Sequence, residues 1–397
     1  MTSAEDSGIV VEKCPQCGAP LPAGGERLIC AYCGSSLIRR KGRESTEPSA
    51  WGLHLKTHVC FDQQGLGMEA FRMLIPAEWE FQGGIQWMTN NPGMPGVVAF
   101  RAFNPKGVEC FEAFPNIACY WTNNQMALGM LPVGGLYYGN EVRPPAPVLQ
   151  VLRELVVPRY RGASSGLEIV AEQQLPDLVQ QMRANSPAAP TGVTSAEGGK
   201  LRLRYKLGDR AVEEDLYGVV EMSRQSTPML MGFMGAMEQV FWMASYLFAF
   251  RAQAGTLDGL SDTFMGLVRS FKISPDWYAR YVQVAQGMLQ GGMQQVAGAG
   301  QISQIISQTG NAIGDMMLDG YAQRQATMDH MADQFGQATR GVDGYRDPFE
   351  NADVELPGGY EHAWSNPLGE YIVTDDPDFD PNAEVDGDWQ QMRRTDI

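Results

Sequence analysis

Histidine is scarce in this chain, with four in 397 residues, at positions 54, 58, 330 and 362. None stands in an HExxH pair, which removes the helix that holds zinc in many hydrolases. There is no GxSxG elbow, no Walker-type phosphate loop and no GxGxxG following a strand. Cys60, Cys110 and Cys119 have no histidine placed to activate them as nucleophiles, and small buried thiols are the ordinary reading. Long apolar runs are absent too. The richest window, VFWMASYLFAF (240–250), is about half the ~20 residues a spanning helix needs, and it ends against Arg251. The opening MTSAEDSGIVVEKC lacks the basic start and apolar stretch of a secretory signal. Positive charge is the last shortage. Lys and Arg number 30 against 46 Asp and Glu, for a net charge of −16 and a pI of ≈ 4.7, so the whole molecule repels phosphate backbones. These absences lead to the expectation of a non-enzymatic, cytoplasmic protein with neither a nucleic-acid nor a membrane partner.

What is present is a chain long enough for two or three compact units, 44% apolar as globular proteins are. The acidity is uneven. Residues 343–397 hold fifteen Asp or Glu against three Arg, a net of −12, which leaves −4 for everything before them.

The most specific pattern is CPQCGAPLPAGGERLICAYCG, in which Cys14, Cys17, Cys30 and Cys33 form CxxC–x12–CxxC. Two residues between thiolates let both sulfurs of a pair meet one ion, and a short hairpin brings the second pair to close a tetrahedron. Four sulfurs leave no position for water, so the expected ion is a structural Zn²⁺. Gly18 and Gly34 continue the two turns and let backbone amides point at sulfur. The pattern resembles the zinc-ribbon family over residues 12–38; a redox dithiol is the competing reading. The basic run Arg39, Arg40, Lys41 and Arg43 follows directly, and it is the candidate phosphate contact should the ribbon bind nucleic acid. Four charges at a domain edge are more often a solvated linker, here 39–52.

Alternation predicts strands at 53–59 and 68–76, short apolar runs continue over 97–107 and 110–121, and 240–253 reads as a buried strand. The clearest hairpin is 200–223, alternating on both sides of Gly208-Asp209. Helical spacing appears at 144–162 and at 256–273, the latter with Thr256 as its cap and Leu257, Leu260, Phe264, Leu267, Val268 and Phe271 on one face. Strand then helix is expected over 167–184, and a flexible loop over 186–199. Together these predict an α+β module over 53–275, a central antiparallel sheet with covering helices.

Three pieces of that module resemble the Mog1/PsbP-like family. They are Ile75-Pro76-Ala77-Glu78-Trp79, Ala102-Phe103-Asn104-Pro105-Lys106-Gly107, and Leu267-Val268-Arg269-Ser270-Phe271. The resemblance implies a binding or assembly module and brings no catalytic signature; the region is longer than that fold needs.

Ser274-Pro275-Asp276 reads as a helix start, followed by a Gln/Gly-rich helical segment over 276–341 with no charge between Arg280 and Asp315. Its glycines each cost about 1 kcal/mol against Ala, so it needs a partner surface: the α+β module, a second copy or a membrane surface, with a protein partner or self-association expected. Glutamine at this density argues against a bilayer interior. The last unit, 342–397, reads as a small acidic β-meander with aromatic anchors Tyr360, Trp364 and Tyr371, and it resembles the ends of uncharacterised bacterial proteins. Its acidic loop contains Asp376, Asp378 and Asp380, candidate Ca²⁺ ligands, although an EF-hand register starting at Asp376 meets Pro381 and Gly387 where Gly and Glu belong. His54 and His58 share one side of a strand without converging on an ion.

Overall fold

The clearest sequence signal makes the longest hairpin. Strand β12 (Ser195–Leu207) runs antiparallel to β13 (Arg210–Pro228), with Leu207 opposite Arg210, so Gly208-Asp209 alone make the turn. Gly208 has φ 58, the left-handed backbone that glycine adopts without penalty. Leu201, Leu203 and Tyr205 face Leu216, Glu214 and Val212 on one side, while Arg202 and Arg204 face Asp215 and Glu213 on the other. The computed structural model describes residues 27–29, 36–38, 52–88, 91, 94–137, 139–176, 195–228, 236–296 and 342–395.

The chain divides into two units, 1–51 and 52–397. In the first, β1 (Arg27–Ile29) pairs antiparallel with β2 (Ser36–Ile38), Arg27 opposite Ile38. The four expected zinc ligands, the basic run Arg39, Arg40, Lys41 and Arg43, and most of the helical segment 276–341 lie outside the described residues.

The second unit is strand-rich and built from antiparallel sheets, as the α+β expectation requires at its coarse level. The strand expected at 240–253 lies within β14 (Ala236–Gln253), buried in large part but with Phe241 exposed; it pairs with β13 throughout and changes partner on its other edge. Gln239–Ala244 pair with β8 (Ile117–Thr122), and Phe248–Arg251 pair with β7 (Cys110–Ala113). From β7 the large sheet continues to β6 (Gly96–Phe103) and β5 (Glu80–Trp87); its far edge is β11 (Ser165–Gln174). The expected helix at 144–162 covers one face. It comprises α2 (Val148–Val151), a π-helical turn (Leu152–Val156) and α3 (Val157–Arg161), and its Val148, Leu152 and Val156 are fully buried.

The second sheet has the order β15 (Lys272–Ile273), β4 (Glu69–Pro76), β3 (Leu53–Phe61), β19 (Glu370–Thr374), β18 (His362–Ser365), β20 (Gln390–Gln391). The third has β17 (Ala352–Pro357), β16 (Val342–Asp347) and β21 (Arg393–Thr395). The expected C-terminal meander is thus divided between two sheets, with β18 and β19 joining β3 across almost the whole chain. Its physical cause is β19 itself. Tyr371, Ile372, Val373 and Thr374 are all buried, so this strand needs a neighbour on each edge and cover on both faces.

The 256–273 helix is shorter than its periodicity suggests. A 3-10 turn (Asp258–Leu260) precedes the α-helix, here α4 (Ser261–Ser270). Thr256 is not its cap; its hydroxyl donates to the Gln253 carbonyl at 2.9 Å. At the other end Phe271 is extended, because Lys272 and Ile273 leave the helix to pair with Arg72 and Phe71. Phe264 and Phe271 of this segment meet Phe250 (4.7 Å between rings) and Phe71 (4.9 Å) in the core between α4, the large sheet and β4.

Ile75, Trp79, Ala102, Leu267, Val268 and Phe271 all belong to this core. Glu78 pairs with Lys106 at 3.3 Å, Trp79 packs 6.2 Å from Phe264, and Ser270 Oγ accepts the Leu74 amide at 2.8 Å. Helix α5 (Pro275–Val296) then starts at Ser274, whose carbonyl accepts the Tyr278 amide.

Candidate ligand pocket

At the place where β14 changes partner, its ladder slips. Tyr217 faces Phe248 and Val219 faces Ser245, so Tyr246 and Leu247 together oppose Gly218. Tyr246 has φ 50, a left-handed backbone in a bulky residue, of the kind that costs on the order of 1–3 kcal/mol and is kept only where surroundings enforce it. The bulge turns Tyr246 toward a cavity of ≈ 290 Å³ between the sheet and α5. Phe100, Phe111 and Phe248 form its floor, Trp277, Tyr278 and Tyr281 its helical wall, and Met94 and Met243 its ends. Among the described residues, Asp, Glu, Lys, Arg and His contribute nothing to the lining; its polar side chains are the Asn116 amide, the Trp277 indole and the hydroxyls of Tyr246, Tyr278 and Tyr281. Strand alternation keeps charge away: Arg101 follows Phe100, Glu112 sits between Phe111 and Ala113, and both face the other side, where Glu112 meets Arg161 at 2.5 Å.

The helical wall is pinned by Asp62, which is buried at the end of β3. Its carboxylate accepts the Trp277 and Trp87 indole N–H groups, each at 2.9 Å, and the amides of Gly65 and Leu66. Trp277 stacks on Tyr281, 5.3 Å apart and 15° from parallel. A Cβ at Gly96 would come within 3.1 Å of the Tyr281 ring, so the missing side chain is what lets α5 lie this close.

Two other polar sites occur. A cavity of ≈ 450 Å³ between the second and third sheets is lined by Arg72, Arg269 and Lys272 opposite Asp347, Glu350 and Glu355. Its Asp347 is engaged by the Phe349 amide at 2.8 Å and the Tyr371 hydroxyl at 2.9 Å. On the other face of the large sheet, fully buried Glu214 receives Arg161 through two N–H groups at 2.7 and 2.8 Å, together with the Tyr205 hydroxyl. Burial, with the Glu214 charge beside it, pushes the Tyr205 phenol well up.

The candidate calcium residues are used locally. Asp376 Oδ1 accepts the Asp378 amide, and Asp380 Oδ1 accepts the Asn382 amide, capping α6 (Pro381–Glu384). No three His, Cys, Asp or Glu among the described residues form a group placed to hold a metal ion. His58 stacks on Phe81 at 3.8 Å, and burial, aided by the Lys56 charge, lowers its pKa to about 4. His54 lies 3.7 Å from Glu370 and edge-on to Trp389. Burial raises the thiol of Cys60 to about 11 and those of Cys110 and Cys119 to about 12, which makes all three inert. No helix among the described residues is long and apolar enough to cross a membrane.

Sequence reasoning missed Tyr246, Asp62 and Asn116. Asp62 followed by Gly65 and Gly67 carried a turn signal; Tyr246 carried none, since it sits inside an apolar run. No protein-family model matches the chain, and no curated protein matches it.

Proposed function

We propose that the chain is a non-enzymatic, zinc-binding interaction or assembly protein. Cys14, Cys17, Cys30 and Cys33 hold one structural Zn²⁺, and the β-rich body is a binding module whose working surface is the pocket under α5. The observation that carries this reading is the lining of that pocket. Aromatic rings, methionines and one amide, with no carboxylate, amine or imidazole among the described residues, suit the retention of apolar surface. Two further facts support it. β1 and β2 pair on either side of Cys30 and Cys33 in sequence, as the second turn of a zinc ribbon would have them. The packing of Trp79, Ala102 and Leu267 into one core suits a module resembling the Mog1/PsbP-like family. The partner, another protein or a second copy, docks through the segment 276–341.

Native mass spectrometry of the full chain, tagged and isolated under reducing conditions from its own cells, tests this. One zinc per chain and a stoichiometric partner or second copy are expected. A metal-free monomer overturns the proposal.

A further inference from the structure

We infer that the pocket under α5 is a site for an uncharged, largely apolar small molecule with a single hydrogen-bonding group, which Asn116 receives. This rests on the reading of the body as a binding module and names what the pocket takes.

Size selects a small molecule. Ligand sites usually enclose about 300–1,000 Å³, and ≈ 290 Å³ stands at the lower end of that range. A docked helix, about 10 Å across with its side chains, does not fit. The lining selects against charge. An ionised group moved into it loses its water and finds no counter-ion among the described residues, a penalty of several kcal/mol in practice. Aromatic walls on two sides, Phe111 and Phe248 below and Trp277 and Tyr281 above, suit a flat or slender apolar body.

The polar end is assigned by Asn116. It follows Pro115 in the connection between β7 and β8, is half-buried, and faces the cavity. Its side-chain amide makes no hydrogen bond among the described residues. Because the amide both donates and accepts, it serves a hydroxyl, an amine or a carbonyl equally. Tyr246 adds an independent sign. A residue held in the left-handed region against its preference is what a preorganised site requires, and glycine would have taken that backbone freely.

The test uses two near-isosteric fluorescent probes with the full-length zinc-loaded chain. N-phenyl-1-naphthylamine is neutral with one N–H, and 8-anilinonaphthalene-1-sulfonate adds a sulfonate. The neutral probe is expected to bind at one per chain, at least about tenfold more tightly than the sulfonate, and to quench Trp277. Asn116→Leu is expected to weaken the neutral probe about fivefold, the worth of one hydrogen bond. Ala118→Trp, which fills the cavity from β8, is expected to abolish binding. Equal or tighter binding of the sulfonate overturns the inference, as does unchanged affinity in Asn116→Leu. Should Ala118→Trp fail to fold, those two readouts still decide. Zinc and partner content measured on the same material separate the two proposals, because failed probe binding with both retained sinks only the pocket assignment.

Discussion

Trp277 donates its indole N–H to Oδ2 of Asp62 at 2.9 Å, a contact between residues 215 positions apart. Oδ1 of the same carboxylate takes Trp87, and both oxygens serve the turn through Gly65 and Leu66. One buried acid therefore holds a turn, the edge of the large sheet and the first turn of α5. Asp62→Ala would leave four N–H donors without their acceptor, and an orphaned buried donor costs about 1–3 kcal/mol. With partial rescue by water, a loss of about 3 kcal/mol is expected. Urea unfolding followed by tryptophan emission measures it. Asp62→Asn, whose amide oxygen can still accept, should lose clearly less.

Arg161 and Glu214 form a second buried lock, with Arg161 also reaching Glu112. Glu214 is fully buried, so removing its partner strands a charge in the core. Arg161→Met is expected to destabilise by about 3–5 kcal/mol. Adding Glu214→Gln to that variant should recover part of the loss, since the stranded charge disappears. If the double variant is as unstable as the sum of the two single ones, measured by urea midpoints, the pair is not coupled as its geometry indicates.

These locks explain what was legible in the sequence and what was not. The hairpin around Gly208 was readable because alternation and turn chemistry are local, and the buried run of β14 and the Ser274 helix start were readable for the same reason. Thr256 misled because a hydroxyl before a periodic stretch reads as a cap, while the chain here spends it on the Gln253 carbonyl and begins α4 later. The division of the C-terminal strands depends on β19 finding β3, and no local pattern encodes a pairing of Leu53 with Val373. The pocket was invisible for a related reason. Its residues come from five strands, their connections and a helix, and its diagnostic residue, Tyr246, differs from its neighbours only in backbone geometry.

His58 supplies a pH signature. Its folded pKa is lowered to about 4 from an unfolded value of 6.5, by burial first and the Lys56 charge second. The folded state thus resists protonation, and the unfolded state binds the proton more readily. The stabilisation from the neutral ring is fully present above pH 6.5 and is lost as pH falls from there toward 4, by about 2–3 kcal/mol at most. Replacement by an aromatic that cannot titrate, His58→Phe, preserves stacking on Phe81 and should flatten the stability curve in that window. Parallel curves for the two proteins between pH 7 and 4 would contradict the assignment.

The seven cysteines divide by chemistry, and thiol counting reads the division directly. Cys60, Cys110 and Cys119 are buried with thiols raised to about 11 and 12, so an aromatic disulfide reagent at pH 8 should not reach them in the folded protein. The other four, as proposed zinc ligands, should react slowly until a chelator removes the ion, and metal release should track their reaction. The native chain is then expected to show almost no fast thiol, the chelated chain four, and the chain in urea with chelator all seven. Cys30→Ser should lower bound zinc sharply. Four fast thiols in untreated, freshly reduced protein would mean that the cysteine pairs carry no metal, and the zinc proposal would fall while the assignment of the three buried thiols stood.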